Sequence, residues 1–597
     1  MPAQYVIGID LGTTNSALAY APLETEKPEV QLLAVPQLVA PGAVEPRSLL
    51  PSFLYLGNKG EAATGAYDVP WAKQRDYAVG EFARRQSADV PERTVGAAKS
   101  WLCHSRVDRH QAILPWGAGE EIPKVSPVTA SRRYLEHLVA CWTNQFPNAP
   151  IADQHVVLTV PASFDASARE LTREAALAAG LPQSLVLLEE PQSAVYAWLT
   201  TYGEKWRKLL KVGETLLVCD VGGGTTDLSL VGVAEEGGEL TLRRIAVGNH
   251  LLVGGDNMDL LLAHHVAGLF AKKGVQLDPW QSVSLWHSCR AAKEVLLGPD
   301  APKKHPVSVL GRGSKLIGGT VTVDVEQKTV AELLANGFFP ACGATDRPQR
   351  PRVSGFQELG LPYEADTAVT RHVAAFLQSH GTETDGPVCP THVLFNGGVF
   401  KADSLRTRLM DALQSWFPNA TPPKRLDGTH DLDHAVARGA AYYGWAKMSG
   451  GVRIRGGTAR SYYVGIETAG LAIPGAPRPL RALCVVPFGM EEGTELDVPS
   501  DPIGLIVGQP AHFRFFSSAV RKEDQPGSRL TAWTSEELAE TDSLEATLPL
   551  DDSTEDHYVP VTFHTHITEL GTLELWCVST RGNGRWKLEF SVRSDAE

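Results

Sequence analysis

The sequence predicts a two-lobed, duplicated α/β body followed by an all-β, sandwich-like module. Two segments indicate the duplication, Val-Ile-Gly-Ile-Asp-Leu-Gly-Thr-Thr-Asn-Ser at 6–16 and Leu-Leu-Val-Cys-Asp-Val-Gly-Gly-Gly-Thr-Thr-Asp at 216–227. Each segment is typical of an apolar strand, an aspartate, a Gly/Thr turn and a second strand. After residue 448 the helical period gives way to short alternating runs, which is typical of an all-β domain. We therefore predict domains at 1–448 and 461–597, joined by a linker at 449–460.

The elements of the first lobe follow from apolar runs and helix signals. Tyr5–Ile9 and Val156–Val160 are nearly continuous apolar runs, as expected for strands covered on both faces. The stretch 165–180 predicts a helix, because an aspartate can cap its start and a glycine can end it. Leu185–Leu188 adds a further strand, which completes a βαβ-like unit.

The remaining elements are predicted from the same signals. The Pro/Arg/Gly-rich stretch Phe339–Tyr363 is interpreted as a surface insertion. Helices are predicted at Asp259–Ala271, Ser282–Leu297, Asp366–Ser379, Ser404–Trp416 and His434–Met448. Strands of the C-terminal module are predicted at Tyr462–Glu467, Leu505–Val507, Ala511–Phe516, Tyr558–Ile567, Leu573–Ser579 and Trp586–Val592.

Composition excludes several classes of protein. The 597 residues are 43% hydrophobic, which excludes disorder along the whole chain, and their net charge of −14 argues against a nucleic-acid partner. We find no charged leader and no apolar run of ~18 residues, so neither secretion nor a membrane partner is expected. The eight cysteines stand singly, which predicts reduced thiols in a cytoplasmic protein and no zinc site.

The two Gly/Thr turns are candidate phosphate loops. Glycine lets the backbone come close to a phosphate and present successive N–H groups to it. Asp10 ends the first strand and is a candidate ligand of a hydrated magnesium ion. Two such loops facing each other would hold a polyphosphate between the lobes. The loop residues are Gly12, Thr13, Thr14 and Asn15 in the first turn, and Asp220, Gly222, Gly223, Gly224, Thr225 and Asp227 in the second.

These motifs resemble the ATPase domain of the 70-kDa heat-shock chaperone family, DnaK-type, within the actin and sugar-kinase superfamily. The resemblance covers most of residues 5–448. It rests also on Val-Pro-Ala-Ser-Phe-Asp at 160–165, Glu-Glu-Pro-Gln-Ser-Ala at 189–194, Val-Gly-Gly-Asp at 253–256, Cys-Arg-Ala-Ala-Lys at 289–293 and Gly-Ala-Ala at 439–441. It implies an actin-like fold with ribonuclease H-like lobes, and ATP or ADP with magnesium as ligands.

The resemblance also implies roles for individual residues. Lys99 matches a catalytic lysine near the γ-phosphate, and Glu190 matches a glutamate that orients the attacking water. Asp10, Asp220 and Glu190 would hold magnesium through water. Thr225 matches a hydroxyl that contacts the γ-phosphate, whereas Pro161 and Arg169 match a relay between domains. The other implied nucleotide contacts are Asp227, Gly254, Gly255, Lys293, Gly397, Gly398, Lys401 and Asp433.

The sequence departs from the family pattern at the expected base pocket and at the linker. Glu294 and Lys401 stand where the family has two arginines that stack on adenine, and lysine lacks the planar stacking surface of arginine. Arg290 stands where a glutamate is expected, and Asn396 looks inserted. The linker is glycine-rich and basic, and Val452 and Ile454 are its only apolar docking residues. We expect the phosphate contacts to persist.

The predicted function is that of an ATP-binding molecular chaperone with weak magnesium-dependent ATP hydrolysis. Its partners would be an unfolded peptide or a specific protein client, together with a co-chaperone. The C-terminal module resembles the family's substrate-binding β-sandwich only faintly, and no helical lid follows it within the sequence. A nucleotide-dependent scaffold with little turnover is the first alternative. A small-molecule kinase of the same superfamily is the second, although the matches at Lys99 and at Glu-Pro-Gln argue against it.

Overall fold

The first part of the chain forms an α/β lobe around one mixed sheet. The computed structural model describes residues 2–25, 27–104, 106–236, 239–310, 320–349, 360–361, 363–381, 386–426, 431–449, 454–455, 457–467, 479–506, 510–541, 543–547, 558–568 and 572–590. The strands of this part are β1 (Tyr5–Leu11), β2 (Asn15–Pro22), β3 (Gln31–Leu32), β4 (Val35–Ala40), β5 (Ala43–Arg47), β6 (Leu50–Pro51), β7 (Leu54–Leu56), β8 (Tyr77–Val79), β9 (Thr94–Val95), β10 (His155–Val160) and β11 (Val186–Glu189). The helices are α1 (Lys59–Ala63), α2 (Glu81–Asp89), α3 (Ala98–Trp101), α4 (Pro127–Gln145), α5 (Ala166–Ala178) and α6 (Glu190–Tyr202).

The second part repeats the arrangement. Its strands are β12 (Thr215–Val221), β13 (Thr226–Glu236), β14 (Glu239–Val247), β15 (Lys304–Leu310), β16 (Thr320–Glu326), β17 (His392–Asn396) and β18 (Lys424–Arg425). Its helices are α7 (Trp206–Leu209), α8 (Gly255–Lys272), α9 (Pro279–Leu296), α10 (Gln327–Phe338), α11 (Val369–Ser379), α12 (Asp403–Trp416) and α13 (Ala435–Ser449).

The two lobes share one sheet topology. In the first lobe the strand order is β11-β10-β1-β2-β3, and in the second it is β18-β17-β12-β13-β14-β19, where β19 is Ile454–Arg455. The leading strand of each lobe runs antiparallel to the next strand and parallel to a later one, so β1 pairs with β2 and β10 as β12 pairs with β13 and β17. The topology therefore carries the duplication that the two Gly/Thr segments predict.

Most predicted elements occur within a few residues of their expected bounds. Asp165 caps α5, because its carboxylate accepts a hydrogen bond of 2.8 Å from the Ala168 amide. Helix α8 begins four residues before its predicted start, at Gly255, since the glycine loop runs directly into the helix. The sequence analysis missed the long helices α4, α6 and α10 and the shorter helices α1, α2, α3 and α7. Of the predicted insertion Phe339–Tyr363, residues 350–359 and 362 lie outside the described residues.

The C-terminal strands form two antiparallel sheets. They are β20 (Ser461–Glu467), β21 (Leu480–Val486), β22 (Thr494–Asp497), β23 (Ile503–Ile506), β24 (Pro510–Phe513), β25 (Phe515–Ser518), β26 (Arg529–Leu530), β27 (Ala539–Glu540), β28 (Leu544–Thr547), β29 (Tyr558–Ile567), β30 (Leu573–Ser579) and β31 (Arg585–Phe590). One sheet has the order β26-β21-β20-β25-β27, and the other has β22-β29-β30-β31-β28-β24. Apolar side chains of both sheets share one buried cluster, which includes Val464, Leu483, Phe563 and Cys577.

The C-terminal sheets contact the first lobe and the linker contacts the second. Ala166 of α5 belongs to the same buried cluster as Tyr462. In the linker, Ile454 and Arg455 pair in parallel with Leu242 and Arg243 of β14, and Ile454 is buried. The linker thus docks through one apolar residue and a strand pairing, whereas Val452 lies outside the described residues.

Within the described part of the chain, every helix is too short or too polar to span a lipid bilayer. All eight cysteines are free thiols, as predicted from their single spacing.

Candidate functional site

The two Gly/Thr turns face each other across a cleft of about 490 Å³ between the lobes. A Cβ atom placed on Gly223 would stand 2.0 Å from the Thr14 hydroxyl oxygen, so only glycine permits this approach. The turns lie at equivalent strand ends, because Asp10 and Asp220 are each the penultimate residue of their strands, β1 and β12. The cleft between them is therefore lined by backbone amides and carboxylates.

Most of the predicted site residues line this one cleft. Gly224 and Gly254 stand beside it: Gly224 approaches Thr13, and Gly254 packs against the carbonyl groups of Gly222 and Gly223. The predicted residues that line the cleft are Asp10, Gly12, Thr13, Thr14, Asn15, Lys99, Glu190, Asp220, Gly222, Gly223, Thr225, Asp227, Gly255, Lys293, Gly397, Gly398, Lys401 and Asp433.

Lys99 and Glu190 form a buried ion pair in the cleft. Lys99 lies on the short helix α3 and is only 5% exposed, while Glu190 is the first residue of α6. Burial lowers the pKa of Lys99, but Glu190 and Asp10 outweigh it and raise the pKa above the usual lysine value. The lysine is therefore cationic, which suits it to a ligand that carries negative charge.

The two carboxylates at the strand ends, Asp10 and Asp220, both have raised pKa values. Burial and the neighbouring Glu190 raise the pKa of Asp10 to about 7, although Lys99 and Thr159 oppose the shift. Burial and Glu190 likewise raise the pKa of Asp220 to about 8, against a hydrogen bond of 2.6 Å from the Asn396 amide. A cation near these groups would lower both pKa values.

The donor set fits a hydrated divalent ion better than a dehydrated one. Among the described residues, no three His, Cys, Asp or Glu side chains stand close enough to hold a metal ion directly. Magnesium keeps several of its waters in such sites. Asp10, Asp220 and Glu190 line the cleft, and a bound cation would favour their charged forms, so a site that holds magnesium through water at these residues stays a prediction.

A second group of charges lies on the other side of the cleft. Arg290 donates to Asp256 at 2.5 Å and to Asp259 at 2.7 Å, and Lys293 pairs with Asp259 at 2.6 Å. The sequence shows Arg290 as a departure, but it does not show that two carboxylates, one helical turn apart on α8, neutralise it. Lys293 is therefore committed to a protein partner before any ligand binds.

The expected base pocket has the glycines of the family pattern, but its charged residues differ from that pattern. Gly397 has a φ of +86°, and a Cβ there would stand 2.3 Å from the Val221 carbonyl oxygen, so the position requires glycine. Lys401 pairs with Asp433 across the cleft mouth, and Glu294 lines the same wall. Sequence reasoning missed Arg84, which reaches the cleft from α2 and which no local motif singles out.

The sequence analysis also missed a buried polar group behind the cleft. Ser163 donates to Asp227 at 2.5 Å, and the Nδ1 atom of His250 lies 2.8 Å from the Ser163 hydroxyl. Burial alone would raise the pKa of Asp227, but His250 and Ser163 lower it below the usual value. Asp227 is thus an anion held by the protein itself.

Part of the chain is similar in sequence to known proteins. Residues 57–307 match the family model described as Hsp70 protein. Over 282 residues the chain is 31% identical to a chaperone protein HscA homolog of Acinetobacter baumannii, which covers 46% of this chain and 38% of that protein. It is 29% identical to chaperone protein HscA of an Enterobacter species and to chaperone protein DnaK of Prochlorococcus marinus, over 46% of this chain and 39% and 38% of those proteins. The matched segment thus spans under two fifths of each relative.

Proposed function

This chain belongs to the Hsp70 family, and from that premise we propose that it is a chaperone that binds ATP and hydrolyses it slowly with magnesium. Hydrolysis would be coupled to the binding of an unfolded peptide or of a specific protein client, with a co-chaperone as a further partner. The observation that carries this proposal is the meeting of the two Gly/Thr turns around the Lys99–Glu190 pair.

The cleft offers donors where a polyphosphate needs them. Backbone N–H groups of the turns around Gly12 and Gly223, with the hydroxyls of Thr13, Thr14 and Thr225, are candidates for the phosphate oxygens of ATP or ADP. Gly255, Gly397 and Gly398 would let the ligand approach the second lobe closely. Magnesium, when bound, would offset phosphate charge, and its waters would be held by Asp10, Asp220 and Glu190.

The residues of the cleft would have two roles in the reaction: they would position the attacking water, and they would stabilise the negative charge of the transition state. In phosphoryl transfer the transition state spreads negative charge over the phosphoryl oxygens, so a buried cation beside them accelerates the reaction. Lys99 would supply this cation. Glu190, released from Lys99 as the phosphate binds, would accept a hydrogen bond from the attacking water and orient it.

Two consecutive glutamates support the coupling of the cleft to the C-terminal sheets. Glu190 pairs with Lys99 in the cleft, whereas Glu189 pairs with Arg169 at 2.8 Å and with Arg244 on the opposite side. Glu189 and the two arginines line a small cavity whose far wall includes Tyr462 of β20. A shift of the start of α6 would therefore be felt at both sites.

The C-terminal module is the proposed client-binding part. We take 461–597 as a domain whose two sheets form a sandwich, joined to the ATPase domain 1–448 by the linker 449–460. An extended peptide could add to the edge of one sheet, since main-chain hydrogen bonds recognise any unfolded sequence.

A nucleotide-dependent scaffold is the second candidate. It is favoured by the altered base pocket, where Lys401 is paired with Asp433 and Glu294 adds a negative charge. Such a pocket would slow nucleotide binding, and the C-terminal module would then hold one partner without repeated turnover.

The deciding experiment is magnesium-ATP turnover by the full chain and by Lys99→Ala, each with and without an unfolded peptide. Removal of one charged group from a transition state typically lowers the rate ~10²–10³-fold, and we expect a loss of this size. Lys208→Ala is the matched control, because Lys208 is exposed on α7, outside the cleft.

Each outcome selects one function. Equal turnover by the unvaried chain and Lys99→Ala would remove the ATPase mechanism. Turnover that depends on Lys99 but ignores the peptide would favour the scaffold. Phosphate transfer to a sugar or polyol, with none to water, would favour the small-molecule kinase.

A further inference from the structure

A chain of hydrogen bonds joins the two lobes behind the cleft. Ser163 stands in the loop between β10 and α5 of the first lobe, whereas Asp227 in β13 and His250 after β14 belong to the second. The Ser163 hydroxyl oxygen lies 2.5 Å from Oδ1 of Asp227 and 2.8 Å from Nδ1 of His250. Ser163 and Asp227 are buried, and the His250 side chain is 13% exposed. One hydroxyl of the first lobe therefore bridges two ionisable groups of the second.

The chemistry of the three groups determines the direction of these hydrogen bonds. The Asp227 anion can only accept, so the single hydroxyl proton of Ser163 is donated to it. Nδ1 of His250 must then donate to the hydroxyl oxygen, because that oxygen has no second proton to give. The order is thus Nδ1–H, then Oγ–H, then Oδ1, and His250 carries a proton on Nδ1.

The imidazole of His250 is held by packing as well as by this hydrogen bond. The buried ring of Phe164 meets it edge to face, with the ring centroids 5.6 Å apart and the planes at 74°. Nε2 of His250 is buried and has no hydrogen-bond partner among the described residues. In this part of the structure the ring is therefore oriented through Nδ1.

The backbone around Ser163 and His250 is supported from outside the cleft. Ala162, next to Ser163, shares a buried apolar cluster with Val247 and with Ala459 of the linker. Val247 is the last residue of β14, three residues before His250. A side chain that orients another group needs support of this kind, because its own position must be fixed by packing.

We propose that Ser163 and His250 are positioning residues that hold Asp227 as an anion in one orientation at the wall of the cleft. Within the described residues both contacts with Asp227 are made at Oδ1, which leaves Oδ2 for a ligand. The part that Asp227 plays in catalysis rests on the proposed function: Oδ2 would accept a hydrogen bond from a water beside the phosphoryl group, in the cleft that Lys99 and Glu190 also line.

The test in solution compares the magnesium-ATP turnover of variants of the full chain. Ser163→Ala removes the bridging hydroxyl, and His250→Phe keeps an aromatic ring against Phe164 but removes the donor. Partners that orient a site residue from behind typically contribute ~10–100-fold to activity, so each variant should lower kcat by this factor. KM should stay within about threefold, because the groups that contact the ligand are unchanged.

Two further variants separate the hydrogen bond from the packing. His250→Asn places an amide N–H near the position of Nδ1 and should restore kcat to within about threefold of the unvaried chain. Ser308→Ala is the control for loss of a serine hydroxyl, because Ser308 is exposed on β15, outside the cleft. It should leave turnover unchanged.

A second measurement needs no nucleotide. NMR of the full chain with ¹⁵N-labelled histidine at pH 7 should show a slowly exchanging proton on Nδ1 of His250, assigned by its absence from the His250→Phe spectrum. Ser163→Ala should make this proton exchange rapidly, since its acceptor is lost.

Three results would overturn the proposal. The first is an unvaried chain in which His250 carries no proton on Nδ1, which needs no variant to fold. The second is an unchanged kcat in folded Ser163→Ala and His250→Phe proteins. The third is an equal loss of kcat in His250→Asn and His250→Phe, which would leave the histidine with a packing role only. The Nδ1 proton seen in a chain without ATP turnover would instead contradict the proposed function alone.

Discussion

Replacement of Glu189 by glutamine should loosen the contact between the two α/β lobes and the C-terminal sheets. Glu189 is the shared anion of a buried triad, with side-chain exposures of 8% for Glu189, 13% for Arg169 and 3% for Arg244. Glutamine keeps the shape of the side chain and one carbonyl acceptor. It removes the negative charge that pairs directly with both arginines, so solvent must enter the cavity beneath Tyr462, which Glu492 also lines, to compensate.

The size of the effect follows from the burial of the arginines. Removal of one partner of a buried ion pair costs about 3–5 kcal/mol, and the remaining acceptor of glutamine places the change near the lower value. About 3 kcal/mol corresponds to roughly a hundredfold change in an equilibrium constant. Burial raises the pKa of Glu189, but Arg244 and Arg169 outweigh it and lower the pKa below the usual value. This contribution is therefore complete above pH ~4.3 and is lost as the pH falls below it.

Amide hydrogen exchange at pH 7 measures this opening directly. Protection of the amides in β20, which borders the cavity at Tyr462, and in β19, which pairs with β14 next to Arg244, should fall roughly a hundredfold in Glu189→Gln. Glu45→Gln is the control, since the Glu45–Arg47 pair is half exposed and such pairs contribute only ~0–1 kcal/mol. Protection of β19 and β20 within about threefold of the unvaried protein would refute the argument that the triad supports this interface.

Two further predictions concern the cleft. The folded Asp220 keeps its proton up to about pH 8, whereas an unfolded aspartate loses it near ~3.9, so the stability of the magnesium- and nucleotide-free chain should fall as the pH rises through this window. Asp220→Asn should reduce the drop in melting temperature between pH 5 and pH 8.5, and an equal drop in both proteins would count against the buried charge. Gly223→Ala should weaken ATP binding more than tenfold by calorimetry, because its Cβ would stand 2.0 Å from the Thr14 hydroxyl. Gly268→Ala in α8, where a Cβ meets nothing within 4 Å, should bind ATP normally and gain about 0.5–1 kcal/mol of stability.

Local sequence signals predicted a helix or strand correctly where the residues that stabilise it lie within the same segment. Asp165 caps a helix through its own side chain, and the apolar run at β1 requires a strand covered on both faces. Helix α6 was missed because it is buried on nearly all sides, so its sequence shows little amphipathic period; it is covered by α13, which follows more than 230 residues later. Helix α4 was missed although it carries local signals, with Ser126 as its N-cap and Pro127 as its first residue.

The residues of the candidate site also form two groups, those that sequence motifs predict and those that only the folded structure identifies. The loop residues, Lys99 and Glu190 could be named from their motifs, and they meet in one cleft. The charge partners could not be named, because an ion pair between Arg290 and Asp256, or between Lys401 and Asp433, depends on distances that no spacing in the sequence encodes.

The sequence alone determined that a Gly/Thr turn follows each of two equivalent strands. An apolar run that ends in an aspartate and continues with glycine and threonine predicts a strand followed by a tight turn. Only the tertiary structure decided that Glu189 faces the C-terminal sheets while Glu190 faces the cleft, and that His250 stands beside Ser163 behind the cleft. The physical reason is that a turn is a local property of the backbone. Burial, charge pairing and pKa are properties of groups that folding brings together from far apart along the chain.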